Sequence, residues 1–174
     1  MTYIEHNKLH IWRHRFMKIR PIEPKDNQPL KAIIQSAIRE YGNNLPNSPY
    51  YDTVLDHLAE HYAAQDKAKY WVAEVDGELV GGAGLGPFSY PKTAEFQKLY
   101  LSPKARGHHI GHQLEITAEK DAKEFGYEKF YIETFMNYTA ARGLYKHVGF
   151  KQLDQPLAKP SHSACDAWYV KDIK

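Results

Sequence analysis

The run Arg106-Gly107-His108-His109-Ile110-Gly111 stands between an apolar segment that ends at Leu101 and a stretch of helical periodicity from Ile110 to Phe125. A strand that turns into a helix through such a loop makes an anion seat. The first turn of a helix has N–H groups without intrahelical acceptors and the positive end of the macrodipole, so backbone alone can hold a phosphate there. Gly107 and Gly111 remove side chains that would obstruct the approach, and Arg106 is expected to add a charged fork.

Two carboxylates lie on the β-type segments beside this loop. Glu95 precedes Leu101 on the segment that leads into it, and Glu133 lies on the next one. Either is suited to accepting a proton from a substrate, and either could instead pair with Lys98, Lys129 or Arg142. The phenol of Tyr145, with an ordinary pKa of about 10, is suited to giving a proton to a leaving group or to packing in a core.

Other signals are weaker. Gly81-Gly82-Ala83-Gly84-Leu85-Gly86 lacks the spacing of a dinucleotide loop, and Pro87 stands where a helix should begin, so a strand with close backbone contacts is expected. His57 and His61, and His6, His10 and His14, have i, i+4 spacing, but no carboxylate or cysteine set completes a metal site. No metal is expected. His162 and Cys165 could suggest a Cys-His nucleophile, with pocket-lining or burial as the favoured reading. Tyr50, Tyr51, Phe88 and Tyr90 flank loops and are read as packing aromatics that can also shape a pocket.

The elements that position these residues are marked by period and punctuation. Phe16 to Pro21 alternates as a half-buried strand. Leu30, Ile33, Ile34, Ala37, Ile38 and Tyr41 repeat at helical spacing until Gly42, and Asp52 is expected to cap a second helix through Leu55, Leu58 and Tyr62. Strands are expected over 69–75 and 78–85 around an Asp76-Gly77 hairpin turn, and over 93–101. From there the order becomes helix 110–125, strand 130–134, helix 140–148 and a last strand through Trp168-Tyr169-Val170, so parallel pairing should enter the sheet. Residues 1–15 read as an arm and 16–174 as one domain.

Of 174 residues, 25% are charged and 43% apolar, ordinary for a globular protein and too hydrophobic for a disordered one. The 23 basic and 21 acidic residues nowhere form a basic run, so no nucleic-acid partner is expected. No stretch has the ~18 consecutive apolar residues of a membrane span, and no membrane partner is expected. One cysteine and the lack of a signal-peptide pattern suit a cytoplasmic location.

The strand, Arg-Gly-x-x-Ile-Gly and amphipathic helix around 106–125 resemble the acetyl-CoA-binding segment of the GNAT superfamily of N-acetyltransferases. Asn137, Ala140 or Ala141, Leu144-Tyr145 and Gly149-Phe150 resemble that family's other cofactor motif. The usual pattern has glycine or another tolerated residue where His109 stands. The resemblance covers Phe16 to Val170 in element order and is strongest in Glu95 to Phe150.

This resemblance implies an α/β (α+β) fold: a mixed, mostly antiparallel sheet of about six to seven strands flanked by helices, with a parallel pair at the cofactor cleft. It implies an N-acetyltransferase that passes acetyl from acetyl-CoA directly to a primary amine, expected to belong to a small molecule. Leu99, Tyr100, Leu101, Arg106, Gly107, His108, His109, Ile110, Gly111, His112, Asn137, Ala140 and Tyr145 would bind the cofactor. Tyr145 would be the acid near the sulfur, Glu95 the first candidate base and Glu133 the second. Homodimers are common in the family, and no residue pattern here encodes one. The alternatives are a noncatalytic acyl-CoA sensor and a nucleotide-using enzyme, the latter disfavoured by the missing Lys-Ser/Thr of a P-loop.

Overall fold

The computed structural model describes residues 15–174, so the expected arm over 1–15, with His6, His10 and His14, lies outside the described residues except for Arg15. In chain order the elements are β1 (Met17–Pro21), α1 (Asn27–Glu40), α2 (Leu58–Ala63), β2 (Lys69–Val75), β3 (Glu78–Pro87) and β4 (Thr93–Leu101), followed by α3 (Ile110–Glu124), β5 (Lys129–Thr134), α4 (Thr139–His147), β6 (Lys151–Leu153) and β7 (Ala167–Asp172). The strands form one sheet in the order β1-β2-β3-β4-β5-β7-β6. Every neighbouring pair is antiparallel except β4 and β5. This is the mixed, helix-flanked sheet expected from the sequence.

The two faces of the sheet are read directly from strand alternation. Tyr70 and Val72 of β2 pack with Leu30, Ile34 and Ile38 of α1 and Leu58 of α2. Trp71, Ala73 and Val75 face the other way, into the core that holds Ile110, Leu114, Ala118 and Ala122 of α3. Each helix therefore buries the stripe its periodicity announced. The Asp76-Gly77 turn has φ of 53° and 80°, as a two-residue hairpin of the primed type requires.

Two elements differ from expectation. The helix expected from Asp52 is a 3-10 turn over Thr53–Asp56, broken at His57, before α2 starts at Leu58. Asp52 makes no cap hydrogen bond because its carboxylate is held by Lys98 and His162 instead. His57 therefore sits at the break, while His61 Nε2 accepts a 2.7 Å hydrogen bond from Gln65 Nε2. The three-residue β6, paired with β7, is too short to show a period and was not anticipated.

The glycines of β3 serve packing. A Cβ at Gly84 would lie 2.6 Å from Tyr70 Cδ2 and 2.7 Å from Tyr62 Oη, and one at Gly82 would lie 2.4 Å from the Trp71 carbonyl oxygen. The bare backbone lets the Tyr62 and Tyr70 rings cross the strand. Gly84→Ala is expected to destabilise the fold by about 1–3 kcal/mol, because neither ring can be displaced without strain. Urea unfolding of the variant beside the wild type measures this.

Candidate functional site

The site begins where two strands part. β4 and β5 pair in parallel only at Thr93 with Lys129, Ala94 with Phe130 and Glu95 with Tyr131. Beyond Glu95, β4 stays on β3 through a bulge: Gln97 faces Gly84 and Tyr100 faces Gly82, so Lys98 and Leu99 stand opposite Ala83 alone. Lys98 has a φ of 50°, and its carbonyl accepts a 2.9 Å hydrogen bond from Tyr70 Oη. A bulge bends its strand and leaves ladder groups unpaired. The result is a strand edge open to a cleft.

A cavity of about 530 Å³ occupies that cleft. Its walls are Leu99, Tyr100 and Leu101 of β4, the 106–112 loop and first turn of α3, Ala37 and Tyr41 at the end of α1, and a face of α4 from Ala140 to His147. Of the residues expected to bind a cofactor, these walls include Leu99, Tyr100, Leu101, Arg106, Gly107, His109, Ile110, Gly111, His112 and Ala140. His108, Asn137 and Tyr145 are not among them. Ala141 and Leu144 of the second motif also line the cavity, and Tyr138, Gly143 and His147 do so without having been singled out from sequence, because spacing within a short helix does not say which of its faces will border a gap.

The loop has the backbone of an anion seat. Gly107 and His109 have φ of 79° and 61°, and the first helical amide bonded to a carbonyl is Gln113, to His109 at 3.0 Å. The N–H groups of Ile110, Gly111 and His112 thus have no acceptor within the helix. His109 takes the left-handed geometry for which glycine is the usual choice. At Gly111 a Cβ would lie 3.1 Å from Leu144 Cδ2, so any side chain there would press on α4.

Arg106 departs from its expected use. Its Nη1 and Nη2 each donate to the Glu40 carboxylate at 2.8 Å, and its Nε donates to the Leu101 carbonyl at 3.2 Å. The guanidinium is occupied as a strap between loop, β4 and the end of α1, and is not a free fork. Asn137 does similar work across the cleft: its Nδ2 donates to the Tyr41 carbonyl at 3.1 Å, and its side chain exchanges hydrogen bonds with Asn43.

Tyr145 is buried, its ring packed beside Phe150 and Tyr169. Burial, reinforced by Tyr138, pushes its pKa up, so the phenol keeps its proton. Burial pushes Tyr138 up to about 12, with its hydroxyl beside Asn43 and Tyr100, which oppose the rise.

A second cavity of about 270 Å³ lies on the other side of Tyr100, which lines both. It brings Glu95 and Glu133 together with Asp52, Lys98, His162 and Cys165. None of the three cations considered as partners reaches either glutamate. Lys98 pairs with Asp52, Lys129 pairs with Asp172, and Arg142 donates to Tyr169 Oη and the Met136 carbonyl. Glu95 is 6% exposed, and burial raises its pKa to about 7, with Glu133 adding to the shift. Gln97 Nε2 donates to Glu95 Oε2 at 2.8 Å and is itself held by Tyr62 Oη at 2.8 Å.

Glu133 accepts from the Ser161 and His162 amides at 3.0 and 3.4 Å and from Tyr131 Oη at 3.3 Å. Its pKa is also raised by burial. Asp52 Oδ1 is 2.8 Å from His162 Nε2, and its pKa stays below the usual range because His162 and Lys98 outweigh its burial. Burial pushes the Cys165 thiol up, which keeps it neutral. Among the described residues no group of three His, Cys, Asp or Glu is arranged to hold a metal ion, and no helix is long and apolar enough to cross a membrane.

Residues 30–150 match the acetyltransferase (GNAT) family. The uncharacterised N-acetyltransferase YjgM of Escherichia coli strain K12 is 31% identical over 158 residues, 89% of this chain and 94% of that protein. Human N-acetyltransferase 8B is 30% identical over 107 residues, 59% of this chain and 47% of that protein. A GNAT acetyltransferase from Staphylococcus aureus Mu50 superposes with a TM-score of 0.81 at 19% identity, covering 91% of this chain and 100% of its own. The PaiA N-acetyltransferase of Thermoplasma acidophilum, solved with coenzyme A, superposes at 0.71 and 19% identity, covering 90% of this chain and 99% of its own. YncA of Salmonella typhimurium, solved with acetyl-CoA, superposes at 0.72 and 18% identity, covering 91% of this chain and 95% of its own.

The raised pKa of Glu95 has a consequence for stability. Its folded value of about 7 exceeds the ordinary 4.5, so between those values the folded state holds the proton more tightly than the unfolded chain. Stability is then lost as pH rises from 4.5 to 7 and stays low above it. Glu95→Gln removes this loss, and the variant is expected to exceed the wild type by up to about 3 kcal/mol at pH 8, the gain shrinking toward zero near pH 4.5. Denaturant titrations at both pH values check the sign.

Proposed function

The chain belongs to the GNAT acetyltransferase family, and from that premise we propose that it moves an acetyl group from acetyl-CoA directly to the primary amine of a small molecule. It is an acyltransferase, and the donor and acceptor of this reading occupy the two cavities that meet at Tyr100. The observation that carries the reading is this shared wall, with Glu95 on its acceptor side at a pKa of about 7.

The residues suit the donor. The amides at the start of α3 and Gly107 offer a seat for the pyrophosphate, and Gly111 keeps the approach clear. The open edge of β4 at Leu99 to Leu101 offers backbone groups to an amide-bearing arm, and the N–H of Leu101 or a neighbour on that edge would hold the carbonyl oxygen. When bound, acetyl-CoA supplies the acyl group as a reactive thioester.

On the acceptor side, an alkyl ammonium with a pKa of about 10.4 must lose a proton before it can attack. Glu95, with Oε2 held by Gln97, is assigned as the acceptor of that proton at its other oxygen. At neutral pH it is near half ionised, which suits a general base. Glu133 draws the ammonium into the cavity and lends its charge to the same end. Direct transfer is favoured because the only cysteine nearby, Cys165, is a buried neutral thiol.

Tyr145 is assigned as the donor that protonates the departing thiolate, from its place in the second motif and its retained proton. A second reading rests on Tyr138, a phenol that itself lines the donor cavity wall beside Tyr100. The thiol-poor composition and buried thiol suit a reducing cytoplasm.

A CoA-release screen against pooled primary amines tests the reading; no release with any amine, despite acetyl-CoA binding, would overturn it. With the acceptor found, kcat/KM is expected to rise with pH through about 7, and Glu95→Gln is expected to lower it by at least about 100-fold. Tyr145→Phe is expected to reduce kcat by at least about tenfold while leaving acetyl-CoA affinity within about twofold. Wild-type turnover in that variant, with the loss in Tyr138→Phe instead, would move the acid to Tyr138.

A further inference from the structure

The donor cavity is poor in fixed positive charge for the ligand proposed above. Coenzyme A carries a pyrophosphate and, at the far end of the molecule from its sulfur, a phosphomonoester on the ribose. Among the described residues no lysine lines the cavity, and Arg106 is already neutralised by Glu40. The remaining basic side chains that the described residues bring to the wall are His109, His112 and His147.

Two of these sit together. His112 lies in the first turn of α3 and His147 at the last residue of α4, with ring centroids 5.9 Å apart and planes at 81°. Their ring nitrogens have no hydrogen-bond partner among the described residues, although both residues line the cavity. Two imidazoles from two helices therefore stand together in one part of its wall.

That part is the far end. The cavity-facing side of α4 runs from Ala140, next to Tyr138, through Gly143 and Leu144 to His147. At 1.5 Å per residue this places His147 about 10 Å along the helix axis from Ala140. In the acetyl-CoA reading, Tyr100, the wall shared with the acceptor cavity, would mark the thioester end, and the α3 amides would take the pyrophosphate between the two.

We propose that His112 and His147 form a seat for the ribose phosphomonoester of coenzyme A, and so distinguish it from the form that lacks this phosphate. The proposal rests on the acetyl-CoA reading and adds the residues that read the ligand's outer end. The imidazoles replace the arginine or lysine that such a dianion usually requires, because Arg106, the guanidinium that the described residues place in the wall, is committed to holding the loop.

The test is isothermal titration of the purified chain with CoA and with 3′-dephospho-CoA. The wild type is expected to bind CoA at least about tenfold more tightly than 3′-dephospho-CoA. His112→Ala with His147→Ala is expected to bring CoA down to the affinity of 3′-dephospho-CoA, whose own affinity stays within about twofold and reports an intact cavity. A preference for CoA that survives in the double variant overturns the proposal, as does a wild type that binds both ligands equally. A wild type that binds neither overturns the acetyl-CoA reading and this inference with it. Should the double variant not fold, His112→Asn and His147→Asn are read singly, each expected to lose part of the preference; full retention in both overturns the proposal.

Discussion

β4 and β5 can share hydrogen bonds for only three residue pairs before they part at Glu95 and Tyr131. A strand that loses its neighbour in the middle of a sheet leaves backbone donors and acceptors that must find other partners. Here the bulge at Lys98 turns β4 further aside, and α3 and α4 close over the gap without filling it. Both cavities exist because this pairing stops. Had β5 continued along β4, the backbone of Leu99 to Leu101 would be consumed by the ladder.

The gap then has to be held at one width. The end of α1 acts as the bracket: Arg106 reaches Glu40 from the α3 side, and Asn137 reaches Tyr41 and Asn43 from the α4 side. Both straps are side chains of motif residues whose expected partner was a ligand. Their observed work is to pin loops whose backbone forms the site, a division that leaves amides for the anion and side chains for geometry.

On the acceptor side, stability and reactivity oppose each other. Glu95 is buried beside a second carboxylate and receives one side-chain hydrogen bond, from Gln97, so its charged form is disfavoured. That is unfavourable for folding and suitable for proton transfer at neutral pH. Asp52 shows the contrast in the same cavity: with Lys98 and His162 on its two oxygens it remains an ordinary anion below its usual range.

The sequence by itself determined the periodic elements. The stripes of α1 and α3, the alternation of β2 and the punctuation at Gly42, Asp76-Gly77 and Gly126 are local properties, since each follows from which face must be buried and where the backbone must turn. The loop from Arg106 to Gly111 was legible for the same reason: backbone amides at a helix start need no distant partner. Three matters were decided only by tertiary structure, because each depends on residues far apart in the chain. Arg106 meets Glu40 across 66 positions, and Asp52 leaves its helix cap for His162 across 110. Glu95 and Glu133 acquire shifted pKa values only when packing removes water from both. Spacing can announce a carboxylate or a guanidinium, but its partner, and therefore its charge and its task, is set by the fold.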